Sequence, residues 1–209
     1  MDWTLYVITD AKLSRGRSHL EVAQAAIEGG ASIIQFREKE MTTRELVETA
    51  RRLKELTNEN GVPFIVNDRL DVALAVEADG VHVGQDDMPA ALARQLMGRK
   101  IVGVSATTVE EALQAQADGA DYLGVGPIYP TGTKPDAVPP IGLEGLAQIV
   151  QAVEIPVVAI GGISEENAAE VIACGADGVA VISAVVSAPD IVTAARRLRE
   201  TVEAARKGV

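Results

Sequence analysis

The sequence predicts an α/β chain folded as a (β/α)8 barrel, and three observations carry that expectation. Eight short apolar runs, many dominated by Val and Ile, fall at residues 5–8, 32–36, 63–66, 80–83, 101–104, 122–125, 156–160 and 178–182. Few of them alternate with polar residues, as expected of parallel strands buried on both faces. Stretches with helical spacing lie between them, among them 43–58, 109–117, 165–173 and 189–205. A weak repeat joins helix end to strand at Glu28-Gly-Gly-Ala-Ser32, Glu77-Ala-Asp79-Gly80, Ala117-Asp-Gly-Ala-Asp121 and Ala173-Cys-Gly-Ala-Asp177. No linker or low-complexity segment interrupts the series, so residues 1–209 read as one barrel domain near the lower size bound of that fold. An open doubly wound sheet is the alternative. It would normally place a G-x-G-x-x-G turn after its first strand, whereas this one ends Ile8-Thr9-Asp10-Ala11-Lys12.

The element ends are marked in the same order. Gly29, Gly61, Gly119 and Gly175 follow helical runs, where a left-handed cap is wanted. Thr108 with Glu111 has capping-box spacing. Ser164 with Glu165 and Glu166 opens another helix with a cap and first-turn acids. Cys174 lies in an apolar helix end and reads as a small buried hydrophobe.

In a barrel the loops after the strands share one face, and active sites sit there. After the second strand comes Gln35-Phe36-Arg37-Glu38-Lys39, in which Gln35, Arg37 and Lys39 alternate onto one side. A planar guanidinium, an ammonium and an amide suit a diphosphate; a solvated charged loop is the other reading. After the third and fourth strands come Asn67-Asp68-Arg69 and Gly84-Gln85-Asp86-Asp87. Asp68 and one of Asp86 or Asp87 could hold Mg²⁺, which binds through one or two carboxylates plus substrate phosphate and water. The competing reading makes each Asp the cap of the following helix. His82, inside Val81-His82-Val83, reads as a hydrogen-bonded barrel residue, and with His19 in the first helix region no histidine-rich metal site is expected. Ser105, after the fifth strand, could cap a helix or touch phosphate, and with no histidine at a recognisable triad spacing it suits a binding role.

The loop Gly124-Val-Gly-Pro-Ile-Tyr-Pro-Thr131-Gly-Thr133-Lys134 combines flexible backbone, two hydroxyls and an ammonium, a set able to wrap phosphate oxygens. Gly161-Gly162 after the seventh strand and Ile182-Ser183 after the eighth stand where barrels often bind phosphate. Two anion sites result, one around Arg37, Lys39, Lys134 and the Asp residues, the other around Gly162 and Ser183, with Thr131 and Thr133 near both. Residues 135–140 are a candidate lid.

Composition bounds the partners. The 209 residues are 47% apolar but only 3% aromatic, so the core must be Ala, Val, Leu and Ile. A net charge of −11 disfavours nucleic acid and anionic membrane as partners and requires cations to be concentrated locally at any phosphate site. A single cysteine excludes an intrachain disulfide and suits a reducing compartment. Residues 1–7 carry no positive n-region or long apolar run, so neither signal peptide nor membrane span is expected, and the cytoplasm is the expected location. Homo-oligomerisation is left open.

Taken together, Tyr6-Val-Ile-Thr-Asp10, Gln35-Phe-Arg-Glu-Lys39, Asn67-Asp68-Arg69, Gly80-Val-His-Val-Gly-Gln-Asp-Asp87, Gly103-Val-Ser105, Gly124 to Lys134, Ala159-Ile-Gly-Gly-Ile163 and Val181-Ile-Ser183 make the chain resemble the thiamine phosphate synthase (thiamine-phosphate pyrophosphorylase) family nearly end to end. The resemblance implies a TIM-barrel transferase of thiamine biosynthesis. It would join 4-amino-5-hydroxymethyl-2-methylpyrimidine diphosphate to a thiazole phosphate, or its carboxylate, releasing pyrophosphate by a dissociative path. It further implies that Gln35, Arg37, Glu38, Lys39, Asn67, Ser105 and Lys134 hold the pyrimidine diphosphate. Asp68 and Asp87 would bind Mg²⁺, and Thr131, Thr133, Gly162, Ile182 and Ser183 the thiazole phosphate. Arg37, Lys39, Ser105 and Lys134 would act on the departing anion, and no protein nucleophile is needed. A tautomerase relative of the same fold is the second expectation, but it uses a histidine near the fifth-strand loop where this chain has Ser105-Ala-Thr-Thr108. A noncatalytic phosphate-ligand sensor is the third.

Overall fold

Eight parallel strands pair in sequence order and close on themselves, β8 returning to β1 through Leu5↔Val179, Tyr6↔Ala180 and Val7↔Val181. The computed structural model describes residues 1–132 and 139–207. The strands are β1 (Leu5–Thr9), β2 (Ile33–Phe36), β3 (Phe64–Asn67), β4 (Gly80–Val83), β5 (Ile101–Ala106), β6 (Tyr122–Val125), β7 (Val157–Ile160) and β8 (Gly178–Val181). Helices α1 (His19–Glu28), α2 (Thr43–Glu59), α3 (Leu70–Ala75), α4 (Ala90–Met97), α5 (Val109–Ala117), α6 (Gly142–Ala152) and α7 (Ala168–Ala173) each follow one strand. The short α8 (Ser183–Val186) and long α9 (Ile191–Lys207) follow β8. The predicted barrel is therefore the observed one. Among the described residues no helix is long and apolar enough to cross a membrane.

Four local expectations are corrected. Ser105 belongs to β5 and does not follow it, because that strand runs on to Ala106. The helix expected from Ser164 begins only at Ala168, since Asn167 turns its Oδ1 back onto the Ser164 N–H at 2.8 Å and its Nδ2 onto the Gly162 carbonyl at 3.0 Å. This local polar bonding competes with the helical turn. The left-handed residue after α1 is Gly30, at φ +98°, whereas Gly29 stays right-handed at φ −77°. The Thr108 cap forms, accepting from the Glu111 N–H, but the Glu111 carboxylate returns to Thr107 and not to Thr108.

The helix-to-strand repeat has a physical meaning. The residue just before each even strand clamps the odd strand beside it with two reciprocal bonds, at the first residue of β1, β3 and β7 and at the second of β5. The Asp79 N–H donates to the Phe64 carbonyl at 2.9 Å, and its carboxylate accepts the Phe64 N–H at 2.8 Å. Asp121 does the same to Val102, Asp177 to Val157, and Ser32, through its hydroxyl, to Leu5.

Register assigns the interior. Ile8, Gln35, Ile65, Gly80 and Ile101 are linked through successive cross-strand partners, as are Asn67, His82, Gly103 and Tyr122, while Ser105 pairs with Gly124. Large rings fill this narrow space against glycines. A Cβ on Gly103 would lie 2.2 Å from the Tyr122 ring, and one on Gly124 would lie 2.8 Å from the His82 ring. Trp3 closes the amino-terminal end, its ring centroid 4.6 Å from that of Tyr122. Outside the strands, small residues such as Ala23, Ala26, Ala50, Ala112 and Ala168 let the helices lie close on the barrel. Most of the core is aliphatic, as composition led us to expect, but its largest buried side chains are Tyr6, Tyr122, Phe36 and Phe64.

Replacing Asp177 by Ala leaves the Val157 N–H without its side-chain acceptor. Denaturant unfolding followed by circular dichroism is expected to show a loss of about 1–3 kcal/mol while the secondary structure signal is retained.

Candidate active site

The carboxyl ends of all eight strands meet at one rim, which is where the sequence placed its polar residues. On the β2 side, Arg37 is almost buried and pairs through Nη1 with Asp10 Oδ2. Asp10, 7% exposed, is fixed in turn by accepting the Lys12 and Leu13 N–H groups at 3.0 and 3.2 Å. Among the described residues, Arg37 Nε is the buried side-chain donor left without a hydrogen-bond partner. A guanidinium held on one side with an unmet donor on the other is prepared for an incoming acceptor.

Glu38 turns the other way. Its carboxylate accepts the Lys39 and Glu40 N–H groups at 2.7 and 2.8 Å and meets His19 Nε2 at 3.1 Å, while His19 Nδ1 bonds Thr9 Oγ1 at 2.8 Å. Burial opposes its ionisation, but the Glu40 N–H, His19 and the Lys39 N–H outweigh it and hold the carboxyl below the usual range. Glu38 thus tethers the loop that carries Arg37 and Lys39. Gln35 is buried beneath the rim, its amide donating to Tyr6 Oη at 2.8 Å.

Lys39 reaches across to Asp68 and forms an ion pair with its Oδ2. Asp68 adopts φ +58°, an uncommon backbone for a non-glycine residue. The Asp87 carboxylate accepts the Gly84 N–H at 2.8 Å and faces Asp68. Burial, then the neighbouring Asp68 carboxyl, push the Asp87 carboxyl above its usual range, against the Gly84 N–H and Lys39. Neither aspartate caps a helix: the N-cap positions of α3 and α4 are Arg69 and Pro89, without side-chain cap bonds. Arg69 forks onto Asp71 at 2.9 and 2.6 Å and leaves the rim. Asn67 ends β3 on the interior face beside His82.

Two carboxylates turned toward each other are a donor set a hard cation relieves, and oxygen ligands suit Mg²⁺. Among the described residues no group of three or more His, Cys, Asp or Glu could hold a metal, so a cation here would complete its shell with water and ligand oxygens.

Ser105 Oγ lies 2.9 Å from His82 Nε2, and the Ser105 carbonyl accepts Gln85 Nε2 at 2.6 Å. On the far side of the rim the loops after β6 and β7 are laced together. The Ile128 and Tyr129 N–H groups donate to the Ile160 and Gly161 carbonyls, both at 3.0 Å. Gly161 and Gly162 take φ +99° and +67°, and a Cβ on Gly162 would lie 2.8 Å from the Pro130 carbonyl, so the chain leading into Thr131 passes against Gly162. Ile182 is the N-cap of α8 and Ser183 its exposed first residue. Thr133, Lys134 and residues 135–138 of the expected lid lie outside the described residues.

Sequence reading missed Asp10, His19, Tyr6 and Tyr122 as supports of the site. For the two tyrosines the signal was present: both occupy strand positions on the same inward alternation as Gln35 and His82.

The fold and this rim define a (β/α)8-barrel protein whose mouth pairs cationic and anionic side chains suited to a phosphorylated ligand and a hard cation. Residues 5–185 match the family described as thiamine monophosphate synthase. The thiamine-phosphate synthase of Chloroflexus aurantiacus is 65% identical over 202 residues, covering 97% of this chain and 94% of that protein. The one from Moorella thermoacetica is 62% identical over 205 residues, covering 98% of each. The solved structure of thiamine phosphate pyrophosphorylase from Pyrococcus furiosus superposes with a TM-score of 0.90 at 48% identity, covering 98% and 97% of the two chains. The chain belongs to the thiamine monophosphate synthase family.

Asp10→Ala strips Arg37 of its counter-charge inside a nearly dry corner. Urea titration should show a loss of about 3 kcal/mol, and the double variant Asp10→Ala/Arg37→Ala should recover part of it because the orphaned charge is gone.

Proposed function

We propose that the chain is a thiamine-phosphate synthase, joining the pyrimidine diphosphate to the thiazole phosphate with release of pyrophosphate. The observation that carries this reading is the convergence of Arg37, Lys39, Asp68 and Asp87 at one rim of a barrel in this family. The substitution breaks the bond between the pyrimidine methylene carbon and its diphosphate oxygen, and the electron pair leaves with pyrophosphate. The aminopyrimidine-stabilised cation is then attacked by the thiazole nitrogen, and a carbon–nitrogen bond forms.

Arg37 contributes its unmet Nε donor and its fork to the diphosphate, and Lys39 adds a mobile point charge. Asp68 and Asp87 would hold Mg²⁺, which when bound supplies positive charge to the leaving anion. Ser105 and Asn67 orient the pyrimidine diphosphate from the barrel interior. Gly162, Ile182, Ser183 and Thr131 form the side assigned to the thiazole phosphate, to which Thr133 is added from the sequence. Lys134 is assigned to the diphosphate on the same ground. Holding both substrates in line lowers the entropic part of the barrier. Small phosphorylated substrates and a lone cysteine suit the cytoplasm.

The reading is tested by mixing both substrates with Mg²⁺ and measuring pyrophosphate and thiamine phosphate together. Both should appear in equal amounts and stop on chelation with EDTA. Asp68→Ala and Lys134→Ala should each lower kcat by about 10²–10³ with circular dichroism unchanged. Binding of both substrates without pyrophosphate release would instead support a sensor, and conversion of the thiazole carboxylate alone would support a tautomerase.

A further inference from the structure

A chain of buried hydrogen bonds climbs the barrel interior to the rim. Gln35 Nε2 donates to Tyr6 Oη at 2.8 Å. Tyr6 Oη and Tyr122 Oη are 2.8 Å apart, Tyr122 Oη lies 2.8 Å from His82 Nδ1, and His82 Nε2 lies 2.9 Å from Ser105 Oγ. The first link sets the direction of the rest. With the Gln35 amide oriented so that its NH₂ faces Tyr6, that NH₂ only donates, so Tyr6 Oη accepts and has one proton to pass on. Among the described residues the acceptor bonded to it is Tyr122. Tyr122 then gives its own proton to His82 Nδ1. Burial pushes both phenols well above their ordinary range, so each keeps the proton that the chain requires.

The opposite direction fails at one end. If His82 Nδ1 donated, Tyr122 would donate to Tyr6, which would then accept twice and carry a buried proton with no acceptor among the described residues. A doubly protonated ring meets the same obstruction. His82 is therefore a neutral ring with its proton on Nε2, and that proton points at Ser105 Oγ. The glycines opposite the rings leave the space that holds them in this line.

We propose that His82 is a positioning residue: fixed as the Nε2–H tautomer by Tyr122, it fills one lone pair of Ser105 Oγ and so directs the serine hydroxyl hydrogen to an anionic oxygen at the barrel mouth. The proposal rests on the reading that this mouth takes a diphosphate. It makes Ser105 a donor to the ligand, whereas the reversed chain would spend the serine proton on His82 and leave only lone pairs facing a negative charge.

The tautomer is read directly by long-range ¹H–¹⁵N correlation on the uniformly labelled protein. The chain has only two histidines, so the His82→Gln spectrum assigns the signals by difference. The expected wild-type result is Nε2–H at His82 without any substrate present. Tyr122→Phe should mix the tautomers and lower kcat by about 10- to 100-fold, the scale seen when a group that orients a functional partner is removed, with KM for the thiazole phosphate unchanged. His82→Gln, whose amide N–H can replace Nε2–H, should keep more of kcat than His82→Asn. An Nδ1–H or charged ring in the wild type overturns the proposal, as does a Tyr122→Phe enzyme with unaltered tautomer and kcat. An Nε2–H ring in a protein that releases no pyrophosphate supports the relay and counts against the proposed function alone. The wild-type spectrum decides even where Tyr122→Phe fails to fold.

Discussion

Strand register is the constraint on which everything at the rim depends. Side chains along a strand alternate faces, so a shift of one residue exchanges inside for outside. Such a slip would turn Tyr6, Gln35, His82 and Ser105 toward the helices and bring their aliphatic neighbours inward. The two-bond clamps of Ser32, Asp79, Asp121 and Asp177 oppose it at the amino-terminal end of the barrel, one at every second strand pairing. Each is a local device, yet together they decide which atoms face the substrate cavity at the opposite end. The polar chain in the interior and the charged rim above it are consequences of the same alignment.

The rim also shows how a chain of net charge −11 keeps cations in place. Arg37 and Lys39 each lean on a carboxylate, but in different settings. The Arg37–Asp10 pair is mostly shielded, with side-chain exposures of 13% and 9%, whereas Lys39 is 55% exposed against 19% for Asp68. The shielded pair is held by backbone N–H groups and behaves as framework. The open pair is weak in water and exchangeable. Under the proposed function, Lys39 would move to phosphate as Asp68 turns to the cation, so charge stays balanced throughout.

Much of this was legible in the residues. The eight apolar runs became the eight strands because Val and Ile at both faces leave few other structures open. The motifs after β2, β3 and β4 met at one rim because parallel closure leaves no alternative. His82 was rightly read as a hydrogen-bonded barrel residue. What escaped was long-range: Asp10 and His19 acquire meaning only from residues 27 and 19 positions away, Arg37 and Glu38, and no spacing rule announces such pairs. The choice between capping and cation-facing roles for Asp68 and Asp87 was undecidable locally, since both begin from a carboxylate before a helix. Thr133 and Lys134 fall outside the described residues, and their assignment stays with the motif.

The glycines of the barrel wall carry an evolutionary implication. Gly103 is the hollow for Tyr122, and Gly124 the hollow for His82. Hollow and ring occupy one shared volume, so neither can drift by itself: a methyl group gained on one side must be matched by a ring reduced on the other. Homologues that abandon the tyrosine or the histidine should therefore carry a larger residue at the facing glycine. Those paired replacements, read across many sequences, would trace where the polar thread has been cut and where it has been kept.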